Sequence, residues 1–270
     1  MSAADPTTGS PADFGDFVLA ERRGDTLLVT LNRPERLNAL SPAVSRRLTE
    51  VLHAAADHEI RSLVLTGAGR GFCAGADLNA DPSEMVNPTR SRLRYEFNGI
   101  VLQLAALTKP IVAAVNGPAA GAGLGLACAA DLRIAAPAAT FVPAFSKIGS
   151  TPDMGTSFHL PRIIGYERSL EWLLRGDRMT ADEALQLGLV QRVVEPEVLV
   201  DTAVELCAAM TTTTSTAVRL TKQLLRNAAS ATLAEQLDLE ATSQLLAAED
   251  PGRAEARRRV ADSLADRPSQ

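Results

Sequence analysis

The sequence predicts an α/β fold with a largely parallel sheet, finished by a helical C-terminal region. Three observations carry this. Short apolar strands alternate with helical stretches as far as residue 135, two strand ends pass into helices through glycine-rich turns, and from Thr180 onward nearly everything except Leu189 to Val194 has helical periodicity.

Taken in order, Phe17 to Glu21 and Leu27 to Leu31 are β-branched and apolar runs around Arg23-Gly24-Asp25, which predicts a hairpin. Ser41-Pro42 supplies an N-cap and a proline at the first helical position. Val44, Leu48, Val51, Leu52 and Ala55 then repeat at helical spacing, so a helix is expected to about Asp57. Ser62 to Thr66 predicts a strand that ends in the glycine-rich run from Gly67 to Gly71. After a polar, proline-containing stretch from Asp81 to Pro88, a helix from about Arg90 to Leu107 would present Leu93, Phe97, Ile100, Val101 and Leu104 on one side. Ile111 to Val115 is the next strand, Gly121 to Ala130 a buried helix with a glycine-rich entry, and Leu132 to Ala135 a further strand. The organisation expected is a disordered tail over residues 1–15, an α/β core over 16–200 and a helical region over 201–270.

A chain of 270 residues, 46% hydrophobic, can bury a substantial core. Its 27 basic and 32 acidic residues leave a net charge of −5, which offers no overall attraction to nucleic acid or to an anionic membrane. Cys73, Cys128 and Cys207 are widely spaced, with neither a CxxC pair nor a histidine at ligand spacing, so no disulfide framework and no metal site is expected. The first fifteen residues lack the pattern of a secretory signal. The longest weakly polar stretch, Gly117 to Ala130, falls short of the about 20 apolar residues of a membrane span, and a cytoplasmic location is expected.

Two segments could bring backbone amides to a ligand. Gly69-Arg70-Gly71-Phe72-Cys73-Ala74-Gly75-Ala76-Asp77-Leu78 follows a strand, and its small residues allow close approach. Asn116-Gly117-Pro118-Ala119-Ala120-Gly121-Ala122-Gly123-Leu124-Gly125 runs from strand to helix, where unpaired N–H groups carry partial positive charge. Two such amides converging on one oxygen would form an oxyanion hole, each donor contributing roughly 3 to 4 kcal/mol at the transition state. Either segment alone serves equally well as a packing device. A dinucleotide site fits poorly, because Leu126 stands where G-x-G-x-x-G needs a third small residue and Asp131 comes too early for a ribose contact. Neither a G-x-x-x-x-G-K-[ST] motif nor a G-x-S-x-G elbow occurs.

Together, and in order after Arg33-Pro34-Glu35-Arg36-Leu37-Asn38-Ala39-Leu40, these segments resemble the crotonase (enoyl-CoA hydratase/isomerase) superfamily from about Phe17 to Pro268. The resemblance implies a ClpP/crotonase-like ββα spiral core with a C-terminal helical trimerisation region. It implies a homotrimer or a dimer of trimers, an acyl-CoA thioester as substrate, and coenzyme A as part of that substrate with no permanently bound cofactor. It places the two oxyanion donors on the amides of Ala76 and Ala122, with Ala74, Asp77, Leu78 and Gly123 around them. Hydratases of this family use two glutamates; the matching positions here are Gly125 and Phe145, which cannot exchange protons. Asp153, in Pro152-Asp153-Met154-Gly155, by itself is equally a turn or cap residue. Its segment, with Leu160-Pro161-Arg162-Ile163-Ile164-Gly165 and the later Gln236-Leu237-Asp238-Leu239-Glu240, resembles the isomerases of phenylacetate breakdown, which implies Asp153 as a single proton-shuttling base between apolar walls at Phe141 and Phe145. Hydration by water held on Asp153, and thioester binding without catalysis, stay open. Aryl-CoA dehalogenation fits less well, since Leu102 stands at the histidine position of those enzymes.

Cations near the coenzyme A phosphates are expected from Arg33 and Arg36, and less so from Arg70. Asp77 is expected chiefly to cap the next turn, Cys73 to be a buried filler, His53 and His58 to face solvent, and His159 to pack near Asp153. The pocket for the acyl chain is expected from Asp81 to Phe97 and Ser157 to Trp172.

Overall fold

The computed structural model describes residues 17–79 and 92–265; the expected tail and the stretch from Asp81 to Pro88 lie outside them. The hairpin forms as β1 (Val18–Arg23) and β2 (Thr26–Leu31), antiparallel and joined through Gly24 at φ 61°. Strands β3 (Ser62–Gly67), β4 (Ile111–Val115), β6 (Leu132–Ala135) and β9 (Arg192–Val193) extend it in parallel, in the order β1-β2-β3-β4-β6-β9. A small second sheet joins β5 (Ala119–Ala120), β7 (Thr140–Val142) and β8 (Met179–Thr180).

Side-chain alternation sorts the core into two layers. Leu27, Val29, Leu31, Leu63, Leu65, Ile111, Ala113 and Val115 face one way, packing with Leu48 and Leu52 of α1 (Pro42–Ala54), Ile100 and Leu104 of α2 (Asn98–Ala106), and the whole of α3 (Ala122–Ala129). Leu28, Val64, Val112, Ala114 and Ile134 face the other way, against Leu199, Ala203 and Cys207 of α7 (Leu199–Met210). Helices α4 (Thr156–Ile164), α5 (Tyr166–Arg175) and α6 (Ala181–Gln186) lie between the core strands in sequence. Helices α8 (Ser215–Asn227), α9 (Leu233–Ala248) and α10 (Arg253–Ala265) end the chain.

Helix α1 begins as expected, Ser41 Oγ accepting from the Val44 amide, but stops at Ala54. The chain just past its end is held from outside: Lys109 Nζ donates to the carbonyls of Ala55, the C-cap, and of Asp57 and Ile60 at 2.6 to 2.7 Å. A buried ammonium at a helix C-terminus satisfies orphan carbonyls and the negative end of the dipole together, although burial lowers its pKa. The start expected at about Arg90 lies outside the described residues; from Arg92 to Phe97 the helix is a wider π-helical turn that precedes α2. Helices α6 and α9 open with Thr180/Glu183 and Thr232/Glu235 capping boxes. Among the described residues no helix is long and apolar enough to cross a membrane, and no His, Cys, Asp and Glu cluster could hold a metal ion.

Candidate active site

The two glycine-rich turns interlock, and glycine is required where they touch. A Cβ on Gly117 would lie 2.1 Å from the Arg70 carbonyl oxygen, and one on Gly123 2.0 Å from that of Cys73. The turns are laced together by Phe72 and Cys73 amides donating to the Pro118 carbonyl, and by the Ala120 amide donating to Cys73 at 2.9 Å. Two asparagines clamp the first turn from either side. Asn38 Nδ2 donates to the carbonyls of Ala68 and Gly71, and Asn116 Nδ2 to those of Gly69 and Gly71. Asn38 is fully buried at φ 57°, a left-handed conformation asparagine tolerates better than most residues. No local sequence signal marks either side chain for this clamp, which takes the place of a ladder that a glycine-rich loop cannot form.

This lacing fixes the two expected donors. Ala76 bridges Leu40 in parallel: the Leu40 amide donates to Gly75 and the Asp77 amide to Leu40, which turns the N–H of Ala76 itself away from that strand. Ala122 is the first residue of α3, so its N–H has no acceptor inside the helix. A Cβ on Gly75, the residue before Ala76, would sit 3.3 Å from the Ala122 nitrogen and 2.6 Å from the Ala120 carbonyl oxygen. The turns carrying the two amides are therefore in contact between Gly75 and Ala122, with Gly75 at φ 92° making the approach possible.

The turn that carries Asp153 packs against α3 at Gly125, one helical turn on from Ala122. Met154 and Gly155 are both left-handed, at φ 49° and 73°, and the Thr156 amide donates to the Asp153 carbonyl at 2.8 Å, so the tight turn expected from Pro-Asp-x-Gly is present. Asp153 is half-buried, with Oδ1 out of contact with solvent. The turn packs on Gly125 of α3, whose Cβ would lie 2.5 Å from Met154 Cβ and 2.6 Å from Thr156 Oγ1. That face of α3 has no space for a glutamate.

Phe145 is buried, its ring edge 3.9 Å from where a Cβ on Gly121 would be, beside the Ala122 amide. Phe141 is fully buried in β7, opposite Ala119. Ala74 is half-buried and Leu78 largely exposed. Asp77 caps its own loop, Oδ1 accepting from the Asn79 amide, and binds Arg33 through Oδ2 at 2.5 Å. Burial works against its ionised form, but the hydrogen bonds from Arg33 and Asn79 outweigh it and hold the carboxyl below its ordinary value. Arg33 is thus engaged with a buried carboxylate, whereas Arg36 and Arg70 are exposed. Cys73 is fully buried and its thiol is pushed up to about 12 by desolvation, which suits a filler and not a nucleophile. His53 and His58 face solvent. His159 stacks edge-on against Phe158 close over Gly155, and burial, then the charges of Arg226, Arg133 and Arg162, lower its pKa.

The family model described as enoyl-CoA hydratase/isomerase matches residues 21–254. The chain is 42% identical over 236 residues to a 1,2-epoxyphenylacetyl-CoA isomerase of Escherichia coli, covering 86% of this chain and 90% of that protein. It is 38% identical over 240 residues to a probable enoyl-CoA hydratase of Mycobacterium leprae, covering 86% and 82%. A Mycobacterium abscessus protein described as an enoyl-CoA hydratase/isomerase superposes with a TM-score of 0.85 at 33% identity, covering 93% of this chain and 98% of that one. With a family match over most of its length, relatives of this similarity and their fold, the chain is an enzyme of the enoyl-CoA hydratase/isomerase family, with the crotonase fold.

Proposed function

We propose that the protein isomerises a double bond of an acyl-CoA thioester, an enoyl-CoA or a ring-epoxide phenylacetyl-CoA type substrate, with Asp153 as its single base. The thioester carbonyl accepts from the Ala76 and Ala122 amides. The Asp153 carboxylate removes a proton from carbon 2 or carbon 4 of the acyl chain, and the electron pair moves into a dienolate whose negative oxygen the two amides hold. Asp153 then returns the proton to the other carbon and is a carboxylate again, so the product has the mass of the substrate. Phe145 shields the dienolate from water on the Ala122 side. Coenzyme A is the carrier within the substrate, its phosphates meeting Arg36 or Arg70 in preference to the engaged Arg33.

One observation carries the choice of isomerisation: the helix face beside Asp153 is filled by Met154 and Thr156, leaving no room on Gly125 for the second proton-exchanging group that adding water across a double bond calls on. The relative named as an isomerase agrees with it. Other relatives are named as hydratases, which keeps hydration by water on Asp153 as a second reading. In assembly the protein is a homotrimer or a dimer of trimers in the cytoplasm; exposed Leu225, Leu233, Leu237, Leu245 and Val260 on α8 to α10 are apolar surface that a second copy would cover.

The test is Asp153→Asn, which preserves shape and removes the base. Turnover of the enoyl-CoA or epoxide thioester should collapse while thioester binding, followed by calorimetry, stays within about threefold, because binding rests on the amides. Retained turnover would reject the assignment.

A further inference from the structure

We propose that Met154 is a positioning residue for the base, a wedge between α3 and α4 that sets where the Asp153 carboxylate points. The proposal rests on the reading of Asp153 given above.

Among the described residues only Leu37, Asn38 and Met154 are non-glycine residues at positive φ. Leu37 and Asn38 lie in the segment from which Asn38 clamps the first glycine-rich turn, and Met154 in the turn beside Asp153. A left-handed conformation at a long side chain persists only where its surroundings over-determine it. They do so here. Met154 is 1% exposed, so its side chain is enclosed. Its Cβ and carbonyl oxygen lie 2.5 and 3.0 Å from the Cβ position of Gly125, so the residue fits only because α3 has no side chain there. Gly155, also left-handed, is closed in by His159 and Val101, both 3.1 Å from its Cβ position. The Thr156 amide then ties the turn back to the Asp153 carbonyl.

The chain directly after Asp153 is therefore fixed at Met154, which is packed against the helix that starts with Ala122 and leads into the start of α4. Because the same helix carries an amide donor and the seat of the wedge, the distance from donor to base is set by one rigid contact. Removing the wedge leaves the carboxylate chemically intact but shifts the turn that carries it, which lowers the rate of the proton transfers without removing the amides that bind the thioester.

Three variants test this. Met154→Gly removes the side chain while favouring the positive φ, Met154→Leu keeps volume and apolarity, and Asp153→Asn is the reference. The expected result is a kcat about 10- to 100-fold lower for Met154→Gly with KM within about twofold, and kcat largely restored in Met154→Leu. A Met154→Gly enzyme with unchanged kcat, or one in which kcat and KM worsen together and Met154→Leu is no better, overturns the proposal. Should Met154→Gly fail to fold, Met154→Ala is compared with Met154→Leu by the same criteria. If Asp153→Asn retains turnover, the assignment of the base fails; if Asp153→Asn is dead and Met154→Gly is normal, only the wedge fails.

Discussion

Replacing Gly123 by alanine should damage the site far more than a single methyl group suggests. Its Cβ would stand 2.0 Å from the Cys73 carbonyl oxygen, against the 3.0 Å below which real Cβ contacts essentially do not occur, so one turn must retreat by roughly 1 Å in a close-packed interior. That carbonyl also accepts the Ala120 amide at 2.9 Å, a bond the retreat stretches. Overpacking of this kind costs about 1 to 3 kcal/mol and a weakened hydrogen bond about 1 kcal/mol, against roughly 1 kcal/mol gained from replacing glycine inside a helix. A net loss of about 1 to 3 kcal/mol is expected, readable as a lower Tm. Because the neighbouring Ala122 amide moves with the backbone, kcat/KM should fall about 100-fold, more than the stability loss implies. Gly99→Ala is the control: it lies in the first turn of α2 with nothing within 4 Å of the new Cβ, and should leave activity unchanged while adding up to about 1 kcal/mol. Folded Gly123→Ala enzyme with normal kcat/KM, or an equal loss in Gly99→Ala, would refute the reasoning.

Asp77→Asn should cost about 1 to 3 kcal/mol by stranding Arg33. Since the folded carboxyl is held below its ordinary value, its contribution is present above about pH 4 and is lost as pH falls through the lowered pKa, so the variant should lose less stability than wild type in an acid titration followed by circular dichroism. His159 should titrate below its ordinary value of about 6.5 by NMR; its contribution is present above that value and declines on acidification through the lowered pKa, and His159→Gln should flatten that decline. Lys109→Met leaves the carbonyl that caps α1 and two in the loop after it without their donor, and a lower Tm with unchanged kcat is expected. Cys73, Cys128 and Cys207 are all buried and raised, to about 12, 11 and 11, so Ellman's reagent should leave the folded protein unmodified and react once it is denatured.

Much of the fold was legible because its signals are local. Ser41-Pro42 marks the start of α1, Gly24 the hairpin, and unbroken apolar runs such as Ile111 to Val115 the buried parallel strands. The end of α1 was misjudged because Lys109, far away in sequence, defines it. Small residues signalled the two turns, yet nothing in their spacing reveals that Gly117 meets Arg70 or Gly123 meets Cys73, since those are contacts between segments. Arg33 looked available for a phosphate because its partner, Asp77, lies 44 residues away. Met154 carried no signal at all: a methionine after Pro-Asp reads as filler until its left-handed backbone and its seat on Gly125 are seen together.

The most direct measurement is the mass of the product formed from trans-2-enoyl, cis-3-enoyl and ring-epoxide phenylacetyl CoA thioesters, with wild-type enzyme and Asp153→Asn side by side. A product of unchanged mass that disappears with Asp153→Asn is what a single-base site predicts. A product heavier by one water, or unchanged turnover without the carboxylate, would contradict it.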